Sequence, residues 1–199
     1  MNVKLGMWSF LFKYKLGELR RAYQAAREAS ESELAAIEKK WQELEAAVAA
    51  GTATITEEDE DGRVVVDWGE QAGEAVSEIE GIQRIYREAF LISLFHFWER
   101  ELLTRTKKKK ISDYEAFAFL KKSGLTPMEA QLTALRLAAN VAKHSEGDSA
   151  DKLFKSRPDL FDVEEMLKWN DKPGHEYLLI TEEVLEGFFE AVRMSGPGK

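Results

Sequence analysis

Residues 8–50 contain no proline, and within them Leu34, Ile37, Trp41, Leu44 and Val48 recur at spacings of three and four. A helix turns about 100° per residue, so this spacing gathers the five side chains into one stripe. The pattern predicts a long amphipathic helix bracketed by Gly6 and Gly51, with Gly17 as its weak interior point. At about forty residues it exceeds an ordinary globular helix, so a break near Ser30 or a projecting arm is expected. The next stretch, GTATITEEDEDGRVVVDWGE, sets β-branched residues on both sides of an acidic turn containing Asp61-Gly62. That reads as a short hairpin or a flexible loop, with the hairpin favoured.

Helical spacing resumes near Ala72 and runs to about Thr104, with Ile79, Ile82, Tyr86 and Phe90 along one face. The segment AFLISLFHFW that follows is apolar nearly all round, which predicts a central core helix or a subunit interface. Later helices announce themselves by their starts. SDYE (112–115) and TPME (126–129) both match a capping box, the second with proline at the first helical position. Ser123-Gly124 closes the first of these helices, while DVEE (162–165) and TEEV (181–184) open two more with acidic first turns. Between those two, KWNDKPGHEYLLI reads as a turn and a short extended segment. The expected fold is all-α: a helical bundle with a long N-terminal helix and a minor β-hairpin or loop insertion. Residues 1–71 form the long helix with its acidic hairpin, as an arm or as part of the bundle. Residues 72–195 form the helical domain, and 196–199 a frayed tail.

Composition narrows the classes. The chain has 199 residues, no cysteine and a net charge of −8. Disulfides, thiolate nucleophiles and cysteine-based zinc sites are excluded, and bulk coating of nucleic acid is disfavoured. No apolar run is long enough to span a bilayer, and the first residues carry no convincing cleaved leader. A cytoplasmic protein without a membrane partner is expected. Charge is nevertheless segregated: EEDED (57–61) is strongly acidic and RTKKKK (105–110) strongly basic. Such runs are usually solvated surface, but the basic one can bind phosphate locally. Phosphate-cradling, dinucleotide-binding and nucleophile-elbow glycine motifs are absent, which argues against an NTPase, a Rossmann enzyme or a serine hydrolase.

Candidate chemistry concentrates in LRLAANVAKHSEGDSADKL (135–153). On a helix Asn140 lies about 40° from Arg136, Lys143 about 20° on the other side, and His144 about 80° away. Four hydrogen-bonding heads therefore share a stripe that stops where the helix stops. Histidine can exchange a proton near neutral pH, arginine can hold a phosphate in a fork, and asparagine can orient a histidine or a substrate oxygen. The set suits metal-independent cleavage of an RNA backbone, with Arg136 and Lys143 offsetting charge on phosphorus. The same residues also suit a plain helix end, where cations are favoured and Asn-to-His spacing can cap the SEGDS loop.

A second constellation is HFWE (96–99). His96 and Glu99 are three apart and touch along a helix, with Ser93 and Arg100 extending the polar line. One such copy does not make a di-metal bundle, so no metal is assigned. His96 is expected in the core or an interface, bonded to Glu99, with Arg100 completing a buried polar network. If the domain dimerises through this helix, the same pair, with Arg100 beside it, is expected to orient His144 from behind as supporting residues. His175, after Pro173-Gly174, is expected in a solvated loop, and the scattered tryptophans in local packing rather than in a base-stacking platform.

The all-α layout, the long buried helix LISLFHFWERELL, and a later helix carrying an arginine, a polar residue and a terminal histidine resemble the HEPN (higher eukaryotes and prokaryotes nucleotide-binding) superfamily. The resemblance covers about residues 72–191 and is loose in sequence. It implies a helical bundle, commonly a dimer, and in many members a metal-independent endoribonuclease of toxin–antitoxin, abortive-infection or CRISPR settings. The family motif is Arg-x(4–6)-His at the dimer interface. Carried onto this chain, it makes Arg136 the motif arginine, Asn140 the intervening polar residue and His144 the motif histidine. Seven residues separate Arg136 from His144, one more than the motif has.

The functional expectation is an RNA-cleaving or RNA-binding homodimer without a cofactor. His144 would be its acid/base, Arg136 its phosphate clamp, Asn140 its orienting residue and Lys143 its supporting cation. The alternative is a non-catalytic interaction module that meets a protein partner through Leu34, Ile37, Trp41, Leu44 and Val48.

Overall fold

A computed structural model describes residues 3–196, with side chains from Ser9 onward; the expected tail 197–199 lies outside the described residues. Seven helices and one hairpin follow in order: α1 (Val3–Ala49), β1 (Thr56–Glu58), β2 (Val64–Asp67), α2 (Trp68–Thr106), α3 (Asp113–Lys122), α4 (Glu129–His144), α5 (Asp148–Ser156), α6 (Val163–Lys168) and α7 (Glu182–Met194). Single 3-10 turns occupy Pro158–Leu160 and His175–Tyr177. Among the described residues no helix is long and apolar enough to cross a membrane. The chain divides into two compact units, Gln24–Tyr86 and Met1–Tyr23 with Arg87–Lys199, so the division falls within α1 and α2.

In the Gln24–Tyr86 unit, α1 continues through Ser30 without a break. Ser30 is buried: its hydroxyl donates to Arg27 O at 2.9 Å, accepts from Gln83 Nε2 at 3.4 Å and lies 3.3 Å from the Tyr86 hydroxyl. A serine that returns its proton to its own helix and meets a partner helix does not interrupt the backbone ladder. The Leu34-to-Val48 stripe is half-buried at every position. Two helices and a hairpin supply no further layer to cover it. It packs in part within the chain: Trp41 sits where a Cβ on Gly69 would come 3.4 Å from its ring, and an open groove of about 410 Å³ is lined by Ile37, Trp41, Leu44, Trp68 and Ala72.

The hairpin forms as expected, antiparallel, pairing Thr56 with Asp67 and Glu57 with Val66. Its acidic tip has a structural purpose, because Asp59 Oδ1 accepts the N–H groups of Asp61 and Arg63, each at 2.9 Å. The helix after it starts four residues earlier than its apolar spacing predicts. Asp67 Oδ1 accepts from the Gly69 and Glu70 N–H groups and so caps α2 at Trp68.

The larger unit holds the core. Leu91, Leu94, Phe95, Trp98 and Leu102 of α2, Leu132, Leu135, Ala138 and Val141 of α4, and Leu185, Phe188 and Val192 of α7 are all buried. Tyr23 of α1 is fully buried, edge-on to Phe90 with ring centres 5.5 Å apart. Trp98 Nε1 donates to Ser195 Oγ at 2.9 Å, which satisfies the one polar atom of a buried indole. Phe12 stacks obliquely on Phe97 at 5.2 Å and closes over Gly196, where a Cβ would come within 2.2 Å of the Phe12 ring. No side chain fits there.

The segment 89–98 is not buried on every side. Ser93 and His96 are exposed and Ile92 is half-buried. The polar line at positions 93, 96 and 100 keeps helical spacing and marks a solvent face, and the apolar count of the segment conceals it.

The α3 start follows the capping box in both directions: Ser112 Oγ accepts from the Glu115 N–H at 3.3 Å, and Glu115 Oε2 accepts from the Ser112 N–H at 3.0 Å. Its end is a Schellman turn, with Gly124 at φ +76° and hydrogen bonds Leu125 N–H to Leu120 O and Gly124 N–H to Lys121 O. Asp162 and Thr181 cap α6 and α7 as expected. The TPME box does not form. Helix α4 begins at Glu129, Met128 holds the cap position and no side chain caps it. Pro127 is buried instead, so that proline serves packing rather than a helical first turn.

Candidate functional site at the end of α4

Helix α4 is amphipathic. Leu132, Leu135, Ala138, Ala139 and Val141 bury one side, and the small alanines let its neighbours approach. Thr133, Arg136 and Asn140 are half-buried along the other side, and Lys143 and His144 are exposed at its end. The predicted stripe is thus a real helix face, fixed by packing behind it.

Arg136 is committed to a protein partner. Its Nε donates to Asp113 Oδ1 and its Nη2 to Asp113 Oδ2, each at 2.8 Å, and Thr133 Oγ1 adds a third bond to Oδ2 at 3.3 Å. Asp113 is the first residue of α3, where a carboxylate also complements the helix dipole. Two of the five guanidinium N–H groups are therefore spent on joining α4 to the start of α3. Nothing local in the sequence pairs positions 113 and 136; the aspartate reads there only as a helix-start residue.

At the C-terminus the helix stops abruptly. The Ser145 N–H still donates to Val141 O at 2.8 Å, but Ser145 itself adopts φ +61°, ψ −118°, an unusual conformation for a residue with a Cβ. Two hydrogen bonds hold it: Ser145 Oγ donates to Glu176 Oε2 at 3.2 Å and accepts from the His175 N–H at 3.4 Å. Gly147 then takes φ +122°, and α5 starts at Asp148. The expected SEGDS loop is only three residues long.

His175 does not sit in a solvated loop. It opens a 3-10 turn, and its Nε2 lies 2.7 Å from Glu88 Oε2, a carboxylate 13% accessible on α2. A partly buried carboxylate is matched there by the nearest ring nitrogen. The pairing spans 87 positions in sequence, which is why spacing could not reveal it. Through its backbone, the same residue supports Ser145 and so the end of α4.

Lys143 lies over the face of the buried Phe95, its ammonium 5.4 Å from the ring centre. His96 touches the same ring, with centroids 5.5 Å apart. The two predicted constellations thus flank one phenylalanine. Within the single chain the second is not a buried network. His96 and Glu99 pair at 3.7 Å with 53% and 41% of their side chains accessible, and Arg100 is exposed. Core contacts fall to Phe95, Phe97 and Trp98, which leaves the intervening histidine to solvent. Among the described residues no hydrogen bond joins His96, Glu99 or Arg100 to His144, and no three His, Asp or Glu side chains converge as metal ligands.

His144 has no hydrogen-bond or ion-pair partner among the described residues. The site therefore consists of one available imidazole, a lysine held over an aromatic face, an asparagine one turn back and an arginine tied to Asp113. Comparison with protein-family models finds no match, and comparisons with curated proteins and with solved structures find none either.

Proposed function

We propose that the chain binds single-stranded RNA and cleaves it without a metal ion, in the manner of the HEPN-like proteins its sequence resembles, with the end of α4 as the reacting site. The observation that carries this reading is the exposed His144 imidazole, held by the fixed Ser145 turn beside Lys143 and Asn140 and not engaged by another described residue. Imidazole is the side chain suited to accept and return a proton in such chemistry.

In the proposed step the RNA 2′-hydroxyl attacks the adjacent phosphorus while its proton passes to His144. The bond from phosphorus to the 5′-oxygen breaks, and a water molecule protonates that oxygen. The products are a 2′,3′-cyclic phosphate and a free 5′-hydroxyl. Lys143 offsets charge on the non-bridging oxygens, and Asn140 orients the imidazole or a phosphate oxygen. Arg136 keeps α4 in register with α3 and offers its remaining N–H groups to the phosphate.

The test is incubation of end-labelled single-stranded RNA with the full chain in EDTA, followed by analysis of the product ends. His144→Gln should abolish cleavage while the circular dichroism spectrum stays unchanged. Intact RNA with the unmodified protein, or products lacking a cyclic phosphate, would overturn the reaction.

A further inference from the structure

The six residues between α2 and α3 begin with four consecutive lysines, Lys107 to Lys110, the densest positive run of the chain. Several surface cations elsewhere are neutralised by local carboxylates: Lys121 pairs with Glu129, Arg157 with Asp159, Lys168 with Glu165 and Arg193 with Glu190. Lys107, Lys109 and Lys110 are exposed and make no ion pair among the described residues. In a chain of net charge −8 with 36 acidic residues, three neighbouring cations free of carboxylates stand out.

Lys107 adds a second observation. It follows the last residue of α2 with φ +55°, the left-handed position that glycine fills without strain. A lysine is held there against backbone preference.

Tyr114 adds a third. Its side chain is 83% accessible, above every other large apolar residue in the described part of the chain. The backbone beneath it is fixed on both sides. Asp113 is clamped by Arg136, and Glu115 closes the capping box with Ser112 while taking the Lys108 ammonium at 2.6 Å. An exposed aromatic ring on a rigid base, next to unpaired cations, has the chemistry that unstacked bases and their phosphates require.

The geometry points to the segment between α2 and α3 as a platform for single-stranded RNA, in which Lys107, Lys109 and Lys110 take backbone phosphates and the Tyr114 ring takes a stacked base. The choice of RNA as the occupant rests on the function proposed above; the platform itself rests on the residues named here. A duplex does not fit, because its bases are already stacked and hidden from a single side chain. The Arg136–Asp113 clamp ties the platform to α4, so a strand that leaves Tyr114 can continue along that helix.

The experiment uses the full chain and a fluorescent 2′-O-methyl oligouridylate of about 12 nucleotides, a length within known single-strand site sizes, read by anisotropy across a salt series. This probe lacks the attacking hydroxyl, so it reports binding whether or not the protein cleaves. A protein that binds the probe and never cuts natural RNA overturns the proposed reaction and supports the platform. Lys109→Glu with Lys110→Glu should weaken binding at least tenfold, and replacing both lysines should flatten the dependence of log affinity on log salt by about 1.4. Tyr114→Ala should weaken binding roughly 5- to 150-fold, the range of single base-aromatic stacks, while Tyr114→Phe retains it.

Lys107→Gly gives an independent readout, because it should bind more weakly while unfolding at a higher temperature. The platform is overturned if the unmodified protein shows no salt-dependent binding, or if the double charge variant binds equally well. It is also overturned if Tyr114→Leu matches Tyr114→Phe, or if phosphatidylglycerol vesicles or an RNA duplex compete as well as the single strand.

Discussion

Replacing Arg136 and Asp113 singly and together measures how far the arginine is a structural residue. The pair has two bonds of 2.8 Å in fork geometry, with 33% of the arginine and 25% of the aspartate side chain accessible. Hydrogen bonds to charged groups contribute about 1.5–3 kcal/mol when shielded, and fully exposed pairs about 0–1 kcal/mol. Partial exposure places this clamp between those limits, at a coupling of about 1–2 kcal/mol. Arg136→Ala also leaves Asp113 with only the 3.3 Å bond from Thr133 among its α4 contacts. Its total cost is about 2 kcal/mol, which for a chain of this length lowers Tm by about 4–8 °C. Urea unfolding of Arg136→Ala, Asp113→Asn, the double variant and the unmodified chain gives the coupling directly. It should shrink in 1 M salt as charges are screened. A coupling below about 0.3 kcal/mol, the noise of such cycles, would refute the clamp and return Arg136 to the phosphate role that the sequence suggests.

Other consequences are equally concrete. Gly147, at φ +122°, leaves no unstrained place for a side chain; Gly147→Ala should cost about 1–3 kcal/mol and, by shifting the turn after His144, reduce RNA cleavage. Gly196→Ala forces a Cβ into the Phe12 ring, 2.2 Å away, and should cost about 1–3 kcal/mol in thermal unfolding, the usual price of overpacking. Glu115 has a carboxyl lowered to about 2, first by its bond from Lys108 and then by those from Ser112. Its folded-state pKa lies below the unfolded value, so its contribution is full above about pH 4.5 and is lost as pH falls toward 2. Glu115→Gln should therefore remove part of the acid sensitivity, seen as a smaller difference between urea midpoints at pH 7 and pH 3.

What the sequence made legible was local. The Leu34-to-Val48 stripe, the Ser112–Glu115 box, the Gly124 stop and the Asp162 and Thr181 caps each depend on neighbours within one or two turns, and each formed. The α4 stripe was legible for the same reason. Where a position answers to distant packing, spacing misled. Thr126-Pro127-Met128-Glu129 has the composition of a capping box, but burial of Pro127 starts α4 at Glu129. The apolar density around His96 suggested a core or interface histidine; its place on the 93–96–100 line keeps it out of the chain's own core. The partners that define the site, Asp113 for Arg136 and Glu88 for His175, lie 23 and 87 positions away. A pairing of that range leaves no periodic trace, and only the folded chain brings it together.

The central claim is that the imidazole at the end of α4 accepts the proton of the attacking RNA 2′-hydroxyl. The most direct measurement is the cleavage rate of a labelled single-stranded RNA in EDTA, for the unmodified chain and for His144→Gln, with binding of the 2′-O-methyl strand followed in parallel. The account predicts cyclic-phosphate products from the unmodified chain, none from the variant, and equal binding by both. Equal cleavage by both proteins, or none by either, would contradict it.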